Sequence, residues 1–146
     1  MPSDSERQPI VVTHEGGVKF AARIRTHRVL VDQPQRGGGE DTAPAPIELL
    51  GASLGTCVAL YVQQFCHARD LPYGGLQVEV RTVGAVNPNR IAQFDVRVVL
   101  PAGVPPRYAE MLHRAAQSCP AHNTLTHGAK VTVEIGAASP AKITAA

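Results

Sequence analysis

The chain has 146 residues, of which 44% are hydrophobic, 18% charged and 4% aromatic, with no Trp. This length suits one domain, and the apolar content is sufficient for a core, which excludes a wholly disordered protein. The net charge is +2 and the basic residues are scattered. Nucleic-acid-binding proteins usually concentrate Lys and Arg on one face, so we expect no nucleic-acid partner.

No stretch of the sequence reaches the roughly 18 consecutive apolar residues that a membrane-spanning helix needs. The first nine residues are polar and lack the basic-then-apolar order of a signal peptide. We therefore expect a cytoplasmic protein without a membrane partner. In that compartment the three cysteines, Cys57, Cys66 and Cys119, are expected to be buried, catalytic or metal-bound rather than joined in a disulfide framework.

The sequence predicts one domain with a tail at each end. Residues 1–9 are polar, and residues 137–146 are mostly small residues with little to bury, so both are expected to be flexible. The segment between them, 10–136, has no internal repeat. Its strands and helices do not alternate as in a parallel sheet, which predicts a single α+β domain.

The N-terminal part of this domain predicts a small sheet. Three apolar segments separated by turn signals predict strands, at residues 10–12, 19–24 and 29–31. Residues 35–46 contain three consecutive glycines and two prolines, which indicates a loop. A glycine-rich loop can cradle phosphate, but this one lacks the Lys-Ser/Thr ending of a phosphate loop, which favours a mobile loop instead.

The strongest helix prediction begins at Pro46. Proline suits the first helical position, and Glu48 in the first turn suits the positive end of the helix dipole. We expect this helix to continue to about Arg69. It is apolar on nearly all sides, which predicts a buried central helix. Close approach of another element is permitted by its small residues, Gly51, Ala52, Ser53 and Gly55.

The C-terminal half predicts a hairpin, a second helix and a last strand. Segments 76–83 and 91–100 alternate apolar and polar residues on either side of a turn at Pro88, which predicts two antiparallel strands. Residues 105–118 predict the second helix, which is followed by a short turn or helix. A final strand is expected at 131–135.

Helix geometry separates the three cysteines. Cys57 and Cys66 are nine residues apart on the long helix, so about 900° of rotation puts them on opposite sides. We expect Cys66 to be an inert buried thiol. Cys119 lies at the end of the second helix, before Pro120, whose ring fixes the local backbone. Packing could bring Cys57 and Cys119 together, and on the residues alone a redox pair and two unrelated buried thiols are equally favoured.

A metal site is a weaker alternative. Cys119 and His122 have a spacing compatible with zinc, but further ligands would have to come from Cys57 or from Cys66 and His67. Zinc motifs usually come as two close pairs, and adjacent residues diverge on a helix, so we expect no metal and no cofactor. Serine catalysis has no support either, because no Gly-x-Ser-x-Gly sequence occurs.

Two cysteine segments together carry a family resemblance. The first is Pro46–Cys57 (PIELLGASLGTC) and the second is Cys119–Leu125 (CPAHNTL), and His27–Pro34 (HRVLVDQP) precedes both. In this combination the sequence resembles the OsmC/Ohr superfamily of osmotically inducible and organic hydroperoxide resistance proteins. The likeness covers most of residues 10–136 and is closer to the OsmC-like branch than to the dedicated hydroperoxide reductases.

The resemblance implies a fold and an assembly. Members of the superfamily are intertwined homodimers in which two long central helices pack together and two antiparallel sheets wrap around them. The active sites lie at the subunit interface. A long apolar helix and a scarcity of large aromatic residues fit such a homodimer.

The resemblance also implies an enzyme that reduces organic hydroperoxides with thiols. By position, Cys57 would be the peroxidatic cysteine and Cys119 the resolving one. The Cys57 thiolate would attack the peroxide and become a sulfenic acid, which Cys119 would convert to a disulfide. An external dithiol, such as a dihydrolipoyl group, would then restore both thiols. Leu54, Leu60 and Tyr61 would line the site.

The residues that would activate Cys57 match the family less well. In peroxidase members an Arg from the first hairpin, oriented by a Glu near the helix start, keeps the cysteine as a thiolate. The turn of the first hairpin here has no Arg, which leaves three candidates: Arg25, Arg23 and Arg28. Glu48 lies one position after the family's Glu, so a catalytic role and a simple helix-start charge both stay open. The alternative function is a redox-responsive or small-ligand-binding protein without efficient peroxidase activity.

Overall fold

A computed structural model describes residues 7–138 and 142–143 of the chain. Most of the two tails expected at 1–9 and 137–146 lies outside these residues, so their flexibility stays a prediction. The predicted α+β class is confirmed. The described elements are β1 (Val11–Gly16), β2 (Lys19–Ile24), β3 (His27–Val31), α1 (Pro46–His67), β4 (Gln77–Ala85), β5 (Arg90–Val99), α2 (Ala109–Gln117), α3 (Pro120–His127), β6 (Ile135–Gly136) and β7 (Lys142–Ile143).

The strands form two antiparallel sheets and one short additional pair. The N-terminal sheet has the order β1-β2-β3, and the second sheet is the β4-β5 hairpin, while β6 pairs only with β7. The N-terminal sheet is poorly covered, since every residue of β1 is exposed. Within the described residues, none of its strands makes more than marginal contact with α1 or with the second sheet. In one chain this sheet therefore stands apart from the core.

Helix α1 begins at Pro46, as predicted, and ends at His67, two residues before the expected end. One face of α1 packs against β4, α2 and α3. That face is made of Gly51, Leu54, Gly55, Val58, Val62 and Cys66. The opposite face stays open in one chain, and Leu60 on it is 50% exposed. The expectation that this helix is buried all round is therefore wrong for the single chain.

By length and composition α1 is also apolar enough to cross a bilayer, the one such helix in the described part of the chain. This property does not show as a run of consecutive apolar residues, because the polar residues of α1 are spread along it. The core helix of a globular domain passes the same test of length and hydropathy, and α1 packs on other elements along one whole face. We therefore treat α1 as a core helix.

The second sheet is a long hairpin that lies against α1. Val78 pairs with Val98 and Val80 pairs with Val96 in an antiparallel register, and the hairpin turns at Asn87-Pro88. Gly55 lets the sheet approach α1, because a Cβ atom at this position would lie 3.0 Å from Cγ2 of Val80. Two of the small residues of α1, Gly51 and Gly55, therefore face a strand of the same chain.

The C-terminal elements depart from the predictions in two places. A short 3-10 turn at Pro106–Tyr108 precedes α2, so the predicted second helix is divided. The strand predicted at 131–135 is wrong for one chain, because regular pairing is confined to β6 at its end. Val131 and Val133 are each 82% exposed. Their alternating pattern is that of a strand, but no described strand edge lies beside them.

Candidate redox site

The thiols of Cys57 and Cys119 lie next to each other. Cys57 is a half-buried residue of α1, and Cys119 is the residue that caps the N-terminus of α3. Cys57 packs against the core cluster that contains Cys119, close enough to raise the pKa of the Cys119 thiol, and both residues are free thiols. Of the two arrangements that the residues alone left open, the structure therefore has the close pair.

Cys119 is held by the backbone of α3. Its Sγ accepts a hydrogen bond from the backbone N–H of His122 at 3.2 Å, and its side chain is fully buried. Burial raises the pKa of Cys119, the His122 N–H lowers it, and the neighbouring Cys57 raises it further. The net direction is upward, so Cys119 is a protonated thiol at neutral pH. Cys57 is the more accessible member of the pair.

Cys66 does not belong to this pair. Its side chain is fully buried in the core, on the side of α1 opposite to Cys57. Burial raises the pKa of Cys66, and the nearby Arg69 opposes this shift only in part. A buried, protonated thiol is a poor nucleophile, which agrees with the expectation of an inert residue.

Glu48 lies on the side of α1 that faces away from Cys57. The two residues are nine positions apart, so the rotation that separates Cys57 from Cys66 separates these two as well. Glu48 lines a cleft of about 540 Å³ between α1 and the β4-β5 hairpin, together with Gly51 and Gly55. Within one chain Glu48 is therefore not brought to the thiols, and its catalytic role stays a prediction.

The three candidate arginines all lie on the N-terminal sheet. Arg25 occupies the exposed β2–β3 turn with φ 55°, and Arg23 pairs with Arg28 across β2 and β3. Arg28 also forms a salt bridge with Glu15 at 3.0 Å. In the described residues none of the three has a hydrogen bond or ion pair with Cys57. The choice among Arg25, Arg23 and Arg28 therefore stays open.

The zinc alternative finds no support in the described part of the chain. There, no three His, Cys, Asp or Glu side chains come together as a metal site would need. His122 meets Cys119 through its backbone N–H, while its ring atom Nδ1 is buried without a hydrogen-bond partner. The His122 side chain lines a largely apolar groove.

The groove runs between α1, β5 and α2 and has a volume of about 550 Å³. Leu54 and Val58 of α1 form part of its floor, and both belong to the core cluster that contains Cys119. Tyr61 packs against the same cluster, whereas Leu60 points away on the open face of α1. Of the three predicted lining residues, Leu54 and Tyr61 therefore lie near the thiol pair in one chain.

Sequence analysis missed the structural roles of two polar residues, one at the thiol pair and one at the end of the N-terminal sheet. The first is His122, whose N–H holds Cys119. A helix N-cap just before a proline is a recognisable signal for this arrangement. The second is Asp32, a buried carboxylate at the end of β3. An Asp between an apolar strand and a Gln-Pro pair is a signal for a side-chain-to-backbone turn.

The fold resembles several solved structures. A proposed osmotic stress induced and detoxification response protein from Psychrobacter arcticus has a TM-score of 0.73 at 20% identity, over 79% of this chain and 85% of that one. An OsmC-like protein from Mycoplasma pneumoniae has a TM-score of 0.70 at 16% identity, over 83% and 88%. An organic hydroperoxide resistance protein from Elizabethkingia anophelis has a TM-score of 0.54 at 24% identity, over 80% and 87%. At these identities the likeness shows the fold.

The sequence itself gives the family. No curated protein is significantly similar to the chain. Residues 38–134, which are more than half of the chain, match the family of OsmC-like proteins. This segment contains both members of the thiol pair, and the fold agrees with that of the OsmC-like neighbours. The chain therefore belongs to the OsmC-like protein family.

Proposed function

We propose that this protein reduces organic hydroperoxides with Cys57 and Cys119 as a two-cysteine pair. Membership of the OsmC-like family, together with a structural neighbour named for organic hydroperoxide resistance, supports a general role in peroxide resistance. The single observation that carries the specific proposal is the contact between the Cys57 and Cys119 side chains.

The exposure of the two thiols supports their assignment to different roles. The more accessible Cys57, as a thiolate, attacks the distal peroxide oxygen, so that the O–O bond breaks and an alcohol leaves once it is protonated. Cys57 is now a sulfenic acid, in which sulfur has lost two electrons. Cys119 then gives up its proton as its sulfur attacks the Cys57 sulfur, the S–O bond breaks, the hydroxide leaves as water with that proton, and a disulfide forms.

An external dithiol completes the cycle. One thiolate of the dithiol attacks the protein disulfide to give a mixed disulfide, and its second thiol displaces the protein. The protein regains two thiols while the dithiol becomes a disulfide, so electrons balance with the two accepted by the peroxide. A dihydrolipoyl group is the kind of reductant we propose, because its two thiols close a ring. Such a cycle needs a reducing compartment, so we also propose a cytoplasmic location.

Exposed apolar surface supports a homodimer. Leu60 on the open face of α1 is half-exposed, and Val131 and Val133 are almost fully exposed in an unpaired strand-like segment. The N-terminal sheet is also largely uncovered by its own chain. Soluble proteins rarely leave such apolar areas open. A second copy of the chain would cover them, and we propose that the active protein is this homodimer.

The same assembly offers a source for the cation that Cys57 needs. Arg25, Arg23 and Arg28 lie on a sheet that stands apart from the core of its own chain. We propose that one of them reaches Cys57 when two chains combine. An exposed guanidinium beside a cysteine sulfur stabilises the thiolate form.

A second candidate function rests on a specific observation. In the described residues no cation is bonded to Cys57, and the first hairpin turn has no Arg. An OsmC-like protein without an activated thiolate would bind small apolar ligands or respond slowly to oxidants rather than turn over peroxides. The groove of about 550 Å³ beside Leu54 is where such a ligand would fit.

Oxidation of the reduced protein by cumene hydroperoxide and, separately, by hydrogen peroxide tests the proposal. We expect rapid loss of two hydrogens by intact mass, mapped to a Cys57–Cys119 disulfide and faster with the organic peroxide. Cys57→Ser should abolish the reaction, whereas Cys119→Ser should consume one equivalent and stop. Cys66→Ser is the matched control and should behave as the wild type. Slow oxidation spread over all three cysteines would favour the second candidate.

A further inference from the structure

The buried carboxylate of Asp32 lies at the point where the N-terminal sheet ends. Asp32 directly follows β3, and its side chain is fully buried. Its Oδ1 accepts the N–H of Gln33 at 2.7 Å. Its Oδ2 accepts the N–H of Glu40 at 3.3 Å, the N–H of Thr42 at 3.0 Å and the hydroxyl of Thr42 at 2.7 Å. The Asp32 carboxylate therefore binds groups on both sides of the three glycines. It thereby ties together the loop that the sequence predicted to be mobile.

This loop is joined to the sheet at its far end as well. The backbone N–H of Asp32 donates to the carbonyl of Pro44 at 3.2 Å, which closes the loop two residues before α1 begins. A salt bridge of 3.2 Å between Lys19 of β2 and Glu40 of the loop adds a side-chain tie. The sheet and the loop as far as Pro44 therefore form one unit.

The connection from this unit to α1 is short and stiff. Only Ala45 separates Pro44 from Pro46, the first residue of α1. Each proline ring restricts its own φ, and a residue before proline is confined to extended conformations. Ala45 has φ −75° and ψ 154°, and it is buried. The direction in which α1 leaves the sheet is therefore determined by where Asp32 holds Pro44.

Packing does not supply an alternative constraint within the chain. In the described residues, the strands of the N-terminal sheet make no more than marginal contact with α1 or the hairpin. If the loop were loose, the sheet would be free to swing about the Pro44–Pro46 connection. We propose that Asp32 is a positioning residue that sets the angle between the N-terminal sheet and α1.

The consequence for function rests on the proposed reduction of hydroperoxides. The sheet carries Arg25, Arg23 and Arg28, while α1 carries Cys57. In a dimer built from two rigid chains, the angle set by Asp32 decides where those guanidinium groups arrive. Asp32 thus acts on the thiolate through the sheet, without touching it.

A distance measurement between the sheet and α1 tests the positioning role directly. Spin labels would be attached at Thr13→Cys and Gln64→Cys, two exposed sites, in the full chain with its three native cysteines replaced by serine. Labelled chains would be diluted with unlabelled ones so that only distances within one chain are read. We expect a narrow distribution with Asp32 and a broadened or shifted one in Asp32→Asn, whose amide N–H groups would face the N–H donors of the loop.

Three further variants keep this test decisive. Gly39→Ala keeps the Asp32 side chain but would place a Cβ atom against both the carbonyl of Gln33 and Oδ1 of Asp32, so it should disturb the same loop and broaden the distribution as well. Asp41→Asn is the matched control, an exposed carboxylate in the same loop, and should leave the distribution unchanged. If Asp32→Asn fails to fold, Thr42→Val removes one of the four hydrogen bonds and should give a smaller change. A narrow distribution in every variant would overturn the proposal.

The rate at which iodoacetamide alkylates Cys57 at neutral pH provides the functional readout. It should fall several-fold in Asp32→Asn, because the arginines would no longer be aimed at the thiolate. Asp41→Asn, which keeps all four hydrogen bonds to the Asp32 carboxylate, should leave this rate unchanged. If the distance between the spin labels depends on Asp32 but the protein does not turn over peroxides, the proposed function is refuted and the positioning role stands. If the protein turns over peroxides but the distance between the spin labels is the same in Asp32→Asn, the positioning role is refuted and the proposed function stands.

Discussion

The backbone N–H of His122 donates to Sγ of Cys119 at 3.2 Å, so a buried cysteine serves as the N-cap of α3. The same sulfur is the neighbour of Cys57. One residue therefore stabilises a helix and stands ready to form a disulfide. Substitutions of Cys119 can separate the helix cap from disulfide formation.

Cys119→Ser should keep the helix cap, and Cys119→Ala should lose it. Serine is a preferred N-cap residue, and replacing an N-cap by alanine typically costs about 1 kcal/mol. We expect the alanine variant to be less stable than the serine variant by about this amount, measured by urea unfolding. Both variants should lack the disulfide. Equal stabilities would show that the sulfur does not act as a cap.

Alkylation of the native protein should follow the exposure of the three thiols. Cys57 is half-buried, whereas Cys66 and Cys119 are fully buried, and burial raises the pKa of both buried thiols. Only the thiolate reacts with iodoacetamide. Peptide mapping after short exposure should find Cys57 labelled first. Early labelling of Cys66 or Cys119 would contradict the assignment of Cys57 as the attacking residue.

The sequence predicted correctly those elements that a single residue marks locally. Pro46 begins the long helix because its missing N–H is not needed in the first turn, and Pro88 lies in the hairpin turn. The strand expected at 131–135 has alternating apolar and polar residues but no local signal for its partner. Alternation specifies a face but not a partner strand, and the described chain brings no strand edge to Val131 or Val133.

The candidate site was also predictable only in part, because its contacts join residues that are far apart in the sequence. Family resemblance paired Cys57 with Cys119, although 61 intervening residues separate them in the sequence. Glu48 was a candidate because it lies one position after the family's Glu, yet helix periodicity places it on the side of α1 opposite to Cys57. Asp32 escaped notice because its importance comes from four hydrogen bonds to a loop, and such a network forms only in the folded chain.

The stability of the protein should depend on Asp32 at low pH. Hydrogen bonds from Thr42, above all, lower the pKa of Asp32 to about 2, although its burial opposes this shift. A carboxyl group whose pKa is lowered by folding contributes stability above its unfolded pKa of about 3.9, and this contribution is lost as the pH falls through the folded value. No other ionised side chain bonds to this carboxylate among the described residues, since Glu40 meets it only through its backbone N–H.

Urea unfolding of the wild type and Asp32→Asn from pH 7 to pH 2 measures this contribution. The difference in unfolding free energy should be constant above about pH 5 and should shrink between about pH 4 and pH 2. Asp41→Asn should show no such pH-dependent difference, because Asp41 is exposed. If the difference in unfolding free energy between the wild type and Asp32→Asn is unchanged at pH 2, the ionised form of Asp32 is not what holds the loop.

Two glycines of α1 should respond differently to the same substitution. Alanine gains about 1 kcal/mol over glycine inside a helix, and this gain applies equally to Gly51→Ala and Gly55→Ala. A Cβ atom at Gly51 would lie 3.8 Å from Val80, an ordinary contact, whereas one at Gly55 would lie 3.0 Å from it. We expect Gly51→Ala to be the more stable variant, because overpacking a core typically costs about 1–3 kcal/mol.

Thermal unfolding of the two variants would show the difference, and the double variant Gly55→Ala, Val80→Ala should remove the overlap. If Gly55→Ala is as stable as Gly51→Ala without the second change, the hairpin can move away from α1 at little cost. The close approach of β4 would then not depend on Gly55.

The proposed homodimer predicts that a charge on the open face of α1 will separate the chains. Leu60 is 50% exposed in one chain, so Leu60→Glu should fold normally as a monomer but should oppose burial of this face against a second copy. We expect sedimentation to show a dimer for the wild type and a shift toward monomer for Leu60→Glu. Gln77→Glu, an exposed position on β4, is the matched control and should remain dimeric. A monomeric wild type, or a Leu60→Glu dimer of undiminished stability, would place the contact between chains elsewhere and leave the apolar face of α1 without the role proposed for it.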